Sequence, residues 1–596
     1  MKSPDETKIG KIINISGNVI SVRISGSVFS TLPIIDGIVY RIGQVGSFLR
    51  IPLGYANLYG IVIQIGAEAI PESLREKDSL EHRITSSNRY LSMVLIGERI
   101  GEKFERGVSQ FPTIDDDVHL VTIDDLNLIY GDFDEKNSIP VGNISTSESL
   151  PAKLDLNKLV TRHCAVVGST GSGKSNAVAI ILEAVAKGGF SNARILLIDP
   201  HGEYNESLKK YSKVFRIRVD QPVDESELYI PYWALPFKEL IKSFPGNLND
   251  TNEDYLRSEI LKRKQNAIEY LRNKPDILAV TSDSPIPFSL KKLWYDLDNF
   301  ERQTFKENRK PETASDCLLE KGDPNRLISN RYEPASPGGG SPFLNNQAKG
   351  ILGFLEGVRN RVLDQRFSFL YNPGPYSPDL EGKLNKDLNC LLEEWLGHEK
   401  IITILDLSGA PSEIMASISG SVLKIVYDAL FWAQNLSVGG KESPVLIVLE
   451  EAHNYLKAGE DSISSRTVQA IAKEGRKYGV GLLLVTQRPK ELDETVLSQC
   501  GSLIALRMTN RGDRGHVAAA VQDELHGIID LLPSLKTGEG IIMGEAVKIP
   551  SRVKFAKIAR APKSSDPLVS IKWREERPDN SEFEKAVYLW RSQKFK

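Results

Sequence analysis

The chain has 596 residues, of which 41% are hydrophobic and 26% charged, with a formal net charge of -3. These values are ordinary for a globular protein of several domains and exclude a uniformly basic nucleic-acid binder, although a narrow basic channel remains compatible with them. The four cysteines are widely spaced and form no C-x-x-C motif, which excludes a disulfide framework and a zinc knuckle.

The N-terminus is polar and no continuous run of about eighteen apolar residues occurs in the chain. We therefore expect neither secretion nor a membrane span, and we predict a reduced, cytoplasmic setting.

The first part of the chain carries short strand patterns separated by turn residues. Ile9 to Ile15, Val19 to Ile24, Tyr59 to Ile65 and Tyr90 to Ile100 alternate apolar and polar residues and are rich in Ile and Val. Strands this short and close, with no helical period between them, predict a small barrel or sandwich over residues 1–133. No catalytic cluster occurs there, which favours assembly or docking over ligand binding. The polar stretch that follows predicts a linker over 134–157.

The strongest motif is a phosphate loop between a short apolar strand and a helix. Its pattern is G-x-x-x-x-G-K-S, in which glycines let backbone N–H groups converge on phosphate oxygens at a helix N-terminus. Lys174 would neutralise the β- and γ-phosphates, and Ser175 would ligate Mg²⁺. We predict ATP and Mg²⁺ as cofactors. The predicted nucleotide-binding residues are Gly168, Ser169, Thr170, Gly171, Ser172, Gly173, Lys174, Ser175 and Asn176.

A second apolar strand, starting at Arg194, ends in the polar string Asp199 to Tyr204. Ligands of open parallel sheets collect at the carboxyl ends of strands. Asp199, as a metal ligand, and Glu203 are therefore candidate site residues. An ordinary capped turn explains both as well, and His201 is compatible with either interpretation.

Helical patterns then replace the alternation of strand and helix. Tyr255 to Arg272 and Asn346 to Asp364 have apolar and charged faces at helical spacing. They predict a helical insertion over 225–400. The insertion would interrupt a core made of 158–224 and 401–560, and a charged C-terminal tail follows at 561–596.

The second strong motif is the apolar strand beginning at Val445, which ends in Glu450 and Glu451. A phosphate-loop ATPase needs one acid for the Mg²⁺ shell and another to polarise the attacking water. Because neighbouring side chains of a strand point in opposite directions, the two acids should have different roles. We assign Glu450 to the metal and Glu451 to the water.

The strand from Val480 to Val485 ends beside Gln487, which is placed to sense the γ-phosphate or hold the water, or simply to end a strand. Arg476 ends the preceding helix, near the opposite edge of the sheet. An arginine there could act on the nucleotide of a neighbouring subunit, or could cap the dipole of its own helix. Arg162, just before the phosphate-loop strand, raises the same alternatives.

These motifs, in this order, resemble those of the HerA family of hexameric ATPases, which is related to FtsK-type DNA pumps. The resemblance rests on the phosphate loop and on four further strings. These are Asp199 to Tyr204, Glu450 to His453, Glu474 to Lys477 and Thr486 to Pro489. The resemblance implies an α/β fold in which a P-loop, RecA-like ATPase core carries an N-terminal small β-barrel and a helical insertion.

The resemblance also implies a homo-hexameric ring with nucleotide at the subunit interfaces and double-stranded DNA in the pore. In each site Lys174, Ser175, Glu450, Glu451 and Gln487 would act from one subunit, with Arg476 and Arg162 reaching in from its neighbour. An effector would dock on the barrel: a NurA-like or other nuclease, or a Sir2-type NADase.

Two functions follow from these expectations. The first is an ATP-driven DNA translocase or helicase that works with the effector in DNA end processing or antiphage defence. The second is an ATPase scaffold that assembles and regulates the effector with little DNA translocation.

Overall fold

The N-terminal module of the computed structural model is a strand-built barrel. The model describes residues 7–25, 34–35, 38–39, 44–66, 89–131, 135–145, 147–217, 225–410, 412–520, 525–562, 569, 574 and 581–592. The strands of the module are β1 (Lys8–Ser16), β2 (Val19–Ile24), β3 (Ile34–Ile35), β4 (Ile38–Val39), β5 (Phe48–Leu53), β6 (Ala56–Ile65), β7 (Arg89–Ile100), β8 (Lys103–Arg106) and β9 (Asp117–Leu120).

Strand pairing closes the barrel. Within the described residues the order is β2-β1-β9-β5-β6-β7, and β2 pairs antiparallel with β7 to complete the circle, while β8 extends from β7. Ile12, Val22, Ile51 and Leu58 point inward and are fully buried. Alternation of inward apolar and outward residues is what a closed small barrel requires, and the predicted N-terminal β-barrel is confirmed.

The ATPase core begins after the barrel. Its first elements are α1 (Ile123–Gly131), β10 (Ser138–Ile144), β11 (Ser147–Asp155), α2 (Leu156–Thr161), β12 (Cys164–Val167), α3 (Lys174–Lys187), β13 (Arg194–Asp199), β14 (Ser212–Arg216) and β15 (Glu225–Glu227). The insertion then contributes α4 (Phe237–Lys242), α5 (Asp250–Ala267), α6 (Leu290–Arg302), β16 (Thr304–Phe305), β17 (Leu318–Glu320), β18 (Arg331–Tyr332), β19 (Phe343–Leu344), α7 (Leu352–Leu363), α8 (Ser368–Tyr371) and α9 (Leu388–Leu396).

The core resumes and leads into the C-terminal part. Its elements are β20 (Ile402–Asp406), α10 (Ser412–Trp432), β21 (Val445–Leu449), α11 (Ile463–Glu474), β22 (Val480–Thr486), α12 (Glu494–Ser498), β23 (Ser502–Leu506), α13 (Arg511–Ala519), α14 (His526–Ile529), β24 (Glu539–Gly544), β25 (Ser551–Phe555) and α15 (Ser581–Ser592). Most of the predicted tail over 561–596 lies outside the described residues.

One large sheet organises the core. Among the described strands its order is β11-β10-β25-β24-β23-β12-β22-β21-β13-β20-β14-β15, and β23 through β15 run parallel. The register places Val167 opposite Thr486, and Ile198 opposite Leu449. The carboxyl ends of β12, β13, β21 and β22 therefore meet at one edge, where ligands of such sheets bind.

The segment predicted as a linker extends this sheet. Residues 138–155 form the antiparallel pair β10 and β11, and β10 also pairs with β25. Ile139, Val141 and Leu154 are fully buried on this pair, so the segment packs rather than crosses between domains. The other domain bounds stay predictions.

Residues 535–544 contain a single strand, β24 (Glu539–Gly544). β24 pairs antiparallel with β23 on one side and with β25 on the other. The glycine turn at Gly538 lies before β24 rather than between two strands.

The insertion packs its own aromatic core against the sheet. Trp233, Trp294 and Trp395 are each about 1% exposed or less, and they join the apolar cluster that also covers β20 and β21. Asn249 starts α5, because its side chain accepts from the backbone N–H of Asn252 at 2.8 Å.

Lys264 is buried in the same insertion with 1% of its surface exposed. Its ammonium group donates to the backbone carbonyls of Ser284 at 2.6 Å, Ser282 at 2.8 Å and Trp233 at 3.3 Å. It thereby joins α5 to two loops, one of which also uses the carbonyl of Ser284 to accept from the N–H of Ile286.

Helix α10 is strongly apolar. Within the described residues it provides the one stretch, Ile414–Trp432, with the length and composition to cross a bilayer, and 61% of its most apolar window is buried inside the protein. Gly420 approaches α11 so closely that a Cβ would lie 2.4 Å from Ile463 Cγ2. The apolar surface of α10 is thus largely used in packing within the core.

Replacing Lys264 by Met should destabilise the insertion, since three backbone carbonyls lose a charged donor and only that of Ser284 retains a backbone donor among the described contacts. We expect a loss of about 2–4 kcal/mol in the free energy of unfolding. The measurement is urea unfolding followed by the fluorescence of the buried tryptophans. The control is Lys262→Met, because the Lys262 side chain is 66% exposed and contacts Glu259 of its own helix. Equal midpoints for the two variants would contradict this role of Lys264.

Candidate active site

The phosphate loop leaves β12 and turns into α3 through two left-handed glycines. Gly171 has φ of 70°, and Gly173 has φ of 103° and is the N-cap of α3. These conformations favour glycine. At Gly168 a Cβ would lie 2.7 Å from Ser172 Oγ and 3.0 Å from Leu506 Cβ. The spacing of glycines in the motif is therefore demanded by the backbone and by its close packing.

Lys174 is the first residue of α3 and is 8% exposed. Its ammonium group donates to the carbonyl of Ser169 at 3.3 Å, within the phosphate loop. Burial lowers the pKa of Lys174, while the carboxylates of Glu451 and Glu450 act in the opposite direction. The predicted phosphate-binding lysine thus faces both predicted acids.

Glu450 follows β21 and is 2% exposed. Its Oε2 atom makes no hydrogen bond within the described residues. Burial, followed by the charges of Asp199 and Glu451, raises the pKa of Glu450 well above its ordinary value. A buried carboxyl without a partner is costly unless a cation or a donor reaches it, so this side chain is suited to a metal ion.

Glu451 has a left-handed backbone, with φ of 48°. Strand alternation does not separate the two acids, because β21 already ends at Leu449. The separation comes instead from the turn at Glu451. A left-handed non-glycine residue is strained, and such strain is concentrated at functional sites.

His453 connects Glu451 to the neighbouring strand, a contact that the sequence did not indicate. Its Nδ1 atom lies 3.3 Å from Glu451 Oε2 and 3.1 Å from the hydroxyl of Thr486. Burial lowers the pKa of His453. The imidazole therefore lies between the predicted water-orienting acid and the end of β22, where Gln487 follows, while Glu451 Oε2 makes no hydrogen bond among the described residues.

Gln487 touches the phosphate loop. Its Oε1 atom accepts a hydrogen bond from the hydroxyl of Thr170. The prediction that this side chain lies at the catalytic edge agrees with the geometry, and the contact gives it a direct path to sense what the loop binds.

Asp199 is fully buried and uses both carboxylate oxygens on the loop that follows it. Oδ1 accepts from the N–H of Gly202 at 2.9 Å and of His201 at 3.2 Å, and Oδ2 from the N–H of Tyr204 at 3.1 Å. Burial is the main cause that raises the pKa of Asp199 to about 6. These contacts favour the capped-turn interpretation. Its role as a metal ligand stays a prediction.

The other two members of the string differ in exposure. His201 is exposed, whereas Glu203 is half-buried and its charge acts on Lys174 and Glu450. Glu203 therefore belongs to the acidic surroundings of the site, and His201 shows no comparable link to it.

Asn176 holds the C-terminal segment rather than facing an open site. Its amide donates to the carbonyl of Ala556 at 2.8 Å, and its Oδ1 accepts from the N–H of Ile558 at 3.2 Å. The N–H of Gly538 donates to the carbonyl of Ser172 at 2.9 Å. Residues about 380 positions away in the sequence thus hold the start of α3, a contact that the local sequence pattern does not indicate.

Arg476 and Arg162 lie at the opposite edge of the sheet. Arg476 is exposed just before β22, whereas Gln487 follows the other end of that strand. A strand of this length spans roughly 20 Å or more at about 3.3 Å per residue. Arg162 Nε lies 3.3 Å from Glu545 Oε2. Neither arginine reaches the phosphate loop of its own chain, as the sequence predicted.

The residues present suit a magnesium ion held together with a nucleotide. No group of three or more His, Cys, Asp or Glu side chains that could hold a metal occurs in the described part of the chain. Mg²⁺, however, commonly binds through one or two protein ligands, phosphates and water. Ser175, beside the Tyr204 hydroxyl, and the free Oε2 of Glu450 provide such a set.

Known proteins match this chain over most of its length. Residues 139–426 match the family model described as "Helicase HerA, central domain", and residues 415–588 match "Helicase HerA-like C-terminal". The DNA double-strand break repair helicase HerA of Saccharolobus solfataricus is 26% identical over 74% of this chain and 73% of its own length. The protein of the same name from Sulfurisphaera tokodaii is 25% identical over 90% of this chain and 93% of its own.

Among solved structures, VirB4 of Thermoanaerobacter pseudethanolicus is similar with 14% identity and a TM-score of 0.43. The match covers 71% of this chain and 97% of that one.

Replacing Glu451 by Gln should abolish turnover but keep nucleotide binding, since the amide cannot accept the proton of the attacking water. We expect the hydrolysis rate to fall by about 10²-fold or more, with unchanged affinity for a fluorescent ATP analogue. The control is Glu460→Gln, an exposed acid of the following loop. Normal turnover in Glu451→Gln would remove the assignment of this acid.

Proposed function

The chain belongs to the HerA family of P-loop ATPases, and on that premise we propose that it forms a ring and translocates DNA by hydrolysing ATP at the interfaces between its subunits. The observation that carries the proposal is the separation of the two groups of site residues. The phosphate loop and its acids lie at the carboxyl edge of the sheet, and Arg476 and Arg162 lie at the amino edge. A second copy of the chain can bring these groups together.

Each subunit supplies the groups that bind and cleave ATP. Lys174 and the loop backbone would bind the phosphates, and Ser175 and Glu450 would hold Mg²⁺. The bound Mg²⁺ would offset charge on the phosphate oxygens. Glu451 orients the water and takes its proton, and Gln487 senses the γ-phosphate through its contact with the phosphate loop.

The neighbouring subunit completes the site. Charge develops on the phosphoryl oxygens in the transition state, and an arginine supplied in trans stabilises it. Arg476 is exposed and free to cross an interface, whereas Arg162 is half-exposed and paired with Glu545. We therefore assign the main trans role to Arg476. The proposed ring is a homo-hexamer with double-stranded DNA in its pore.

The barrel offers a surface for an effector. It contacts the core through Gly46 and Ile63, which lie near Leu531 and Gly527. Apolar side chains are exposed toward the other ends of its strands and in the loop before β9. They are Tyr55 at 65%, Ile100 at 48%, Phe111 at 53% and Ile114 at 63%.

Exposed apolar groups gathered at one rim are typical of a protein interaction site. We propose that this rim binds a NurA-like or other nuclease, or a Sir2-type NADase, in the cytoplasm and away from any membrane. The assembly would act in DNA end processing or antiphage defence.

The exposed rim also supports a second candidate function, in which the ring is a scaffold that assembles and switches the effector with little movement along DNA. The two functions share their hydrolytic chemistry and differ in the role of DNA. In the translocase, ATP hydrolysis is coupled to steps along the phosphate backbone. In the scaffold, it is coupled to the effector.

Duplex DNA should raise the ATP hydrolysis rate of the native ring several-fold, and a protein block bound to the duplex should prevent displacement of a strand or label beyond it. The measurement is steady-state phosphate release with and without duplex, with Lys174→Ala as the inactive control. A rate indifferent to duplex DNA, but raised by the effector, would favour the scaffold.

Arg476→Ala and Lys174→Ala should each be nearly inactive alone and should complement each other in mixed rings. A Lys174→Ala subunit still offers its arginine to the intact pocket of an Arg476→Ala neighbour. We expect the mixture to recover a substantial part of the native rate, against a loss of about 10³-fold for Arg476→Ala alone. Lys477→Ala, the adjacent exposed cation, is the control. Failure of the mixture to recover would exclude completion of the site in trans.

A further inference from the structure

His163 occupies a strained, buried position between Arg162 and the phosphate-loop strand. It is 3% exposed, and its backbone is left-handed with φ of 56°. A bulky residue rarely adopts this conformation without compensating contacts. The contacts of its imidazole provide them.

The two ring nitrogens join two different elements. Nδ1 accepts a hydrogen bond from the N–H of Leu482 in β22 at 3.1 Å. The ring also faces the backbone carbonyl of Ala472, in the last turn of α11, which acts on it as a hydrogen-bond acceptor would. Because Nδ1 is an acceptor, the proton lies on Nε2, which is the donor to Ala472. Burial lowers the pKa of His163, which keeps the ring neutral and this tautomer in place.

Helix α11 and strand β22 lie on either side of the turn that carries Arg476. Arg476 lies four residues after Ala472, in a short turn that ends at Tyr478. The turn is tightly packed, since a Cβ on Gly475 would lie 2.6 Å from the carbonyl of Val480.

The same close packing joins α2 to β22. A Cβ on Gly481 would lie 2.0 Å from the carbonyl of Val160, and Arg162 is the C-cap of α2. The backbones that carry the two arginines are therefore held against one another, with the His163 ring between them.

We propose that His163 is a positioning residue that fixes the backbones of Arg162 and Arg476 in one rigid unit, so that both arginines are presented to the nucleotide of the neighbouring subunit. This inference rests on the proposed trans site. His163 touches no reacting group, and its effect passes through the Ala472 carbonyl to the turn that holds Arg476.

Two substitutions separate the two bonds of the ring. In His163→Asn, the amide oxygen takes the place of Nδ1 and can accept from Leu482, and asparagine tolerates the left-handed backbone. Its side chain is too short to reach Ala472. In His163→Gln, the amide nitrogen takes the place of Nε2 and can donate to Ala472. The Asn variant therefore keeps the local fold but loses the link to Arg476, and the Gln variant keeps that link.

We expect His163→Asn rings to bind ATP with native affinity and to hydrolyse it about 10²-fold more slowly, the cost of a misplacement of about 1 Å. His163→Gln should remain within about threefold of the native rate, because the link to Arg476 persists. The decisive readout is complementation. A Lys174→Ala subunit keeps Arg162, His163 and Arg476, and a His163→Asn subunit keeps an intact phosphate loop. Mixed rings of the two variants should therefore recover activity.

Outcomes of the mixing experiment distinguish the two proposals. Lys174→Ala could rescue Arg476→Ala but not His163→Asn. The defect of His163→Asn would then lie in its own phosphate loop after β12. In that case the positioning role is wrong and the trans site stands. If neither variant is rescued, both proposals fail. Loss of ATP affinity in both His163 variants would likewise overturn the positioning role, since it would show that the ring serves only the fold around the phosphate loop.

Discussion

The length of one buried strand sets the chemistry of this protein. β22 runs from the turn that carries Arg476 to the side chain of Gln487, which contacts Thr170 in the phosphate loop. Every residue of the strand is buried, so its two ends cannot approach each other. The groups that bind a triphosphate and the groups that could stabilise its transition state are consequently kept on opposite edges of one rigid sheet. The proposed assembly of copies would bring the two groups together.

The electrostatics at the carboxyl edge of the sheet also favour positive charge supplied from outside the subunit. Glu450, Glu451 and Glu203 surround Lys174, and the pKa of Glu450 is raised, first by burial and then by its acidic neighbours. The free Oε2 of Glu450 has no donor in the described residues. Such a site is stable when cations arrive with the ligand. Magnesium would enter with the nucleotide, and an arginine would enter with the next subunit.

The sequence predicted the parts of the site that depend on local pattern. The phosphate loop could be predicted because the glycines, Lys174 and Ser175 are contiguous, and Glu450 and Gln487 because each follows an apolar strand whose end must lie at the ligand edge. The barrel could be predicted from strands of alternating pattern, and its closure required the pairing of β2 with β7.

The remaining features depend on contacts between distant residues or on backbone angles that the pattern does not encode. Asn176 pairs with a segment about 380 residues away, and the left-handed turn at Glu451 replaces the expected strand alternation. Residues 138–155 contain prolines and polar residues that obscured their pairing with each other and with β25.

The hydrogen bonds of Asn176 to the backbone of Ala556 and Ile558 have a mechanical consequence. Asn176 stands in the opening turn of α3, directly after the residues that would meet phosphate and metal. Any tilt of that opening turn therefore acts directly on the backbone at Ala556 and Ile558, so the first turn of α3 and the segment that follows β25 must shift together.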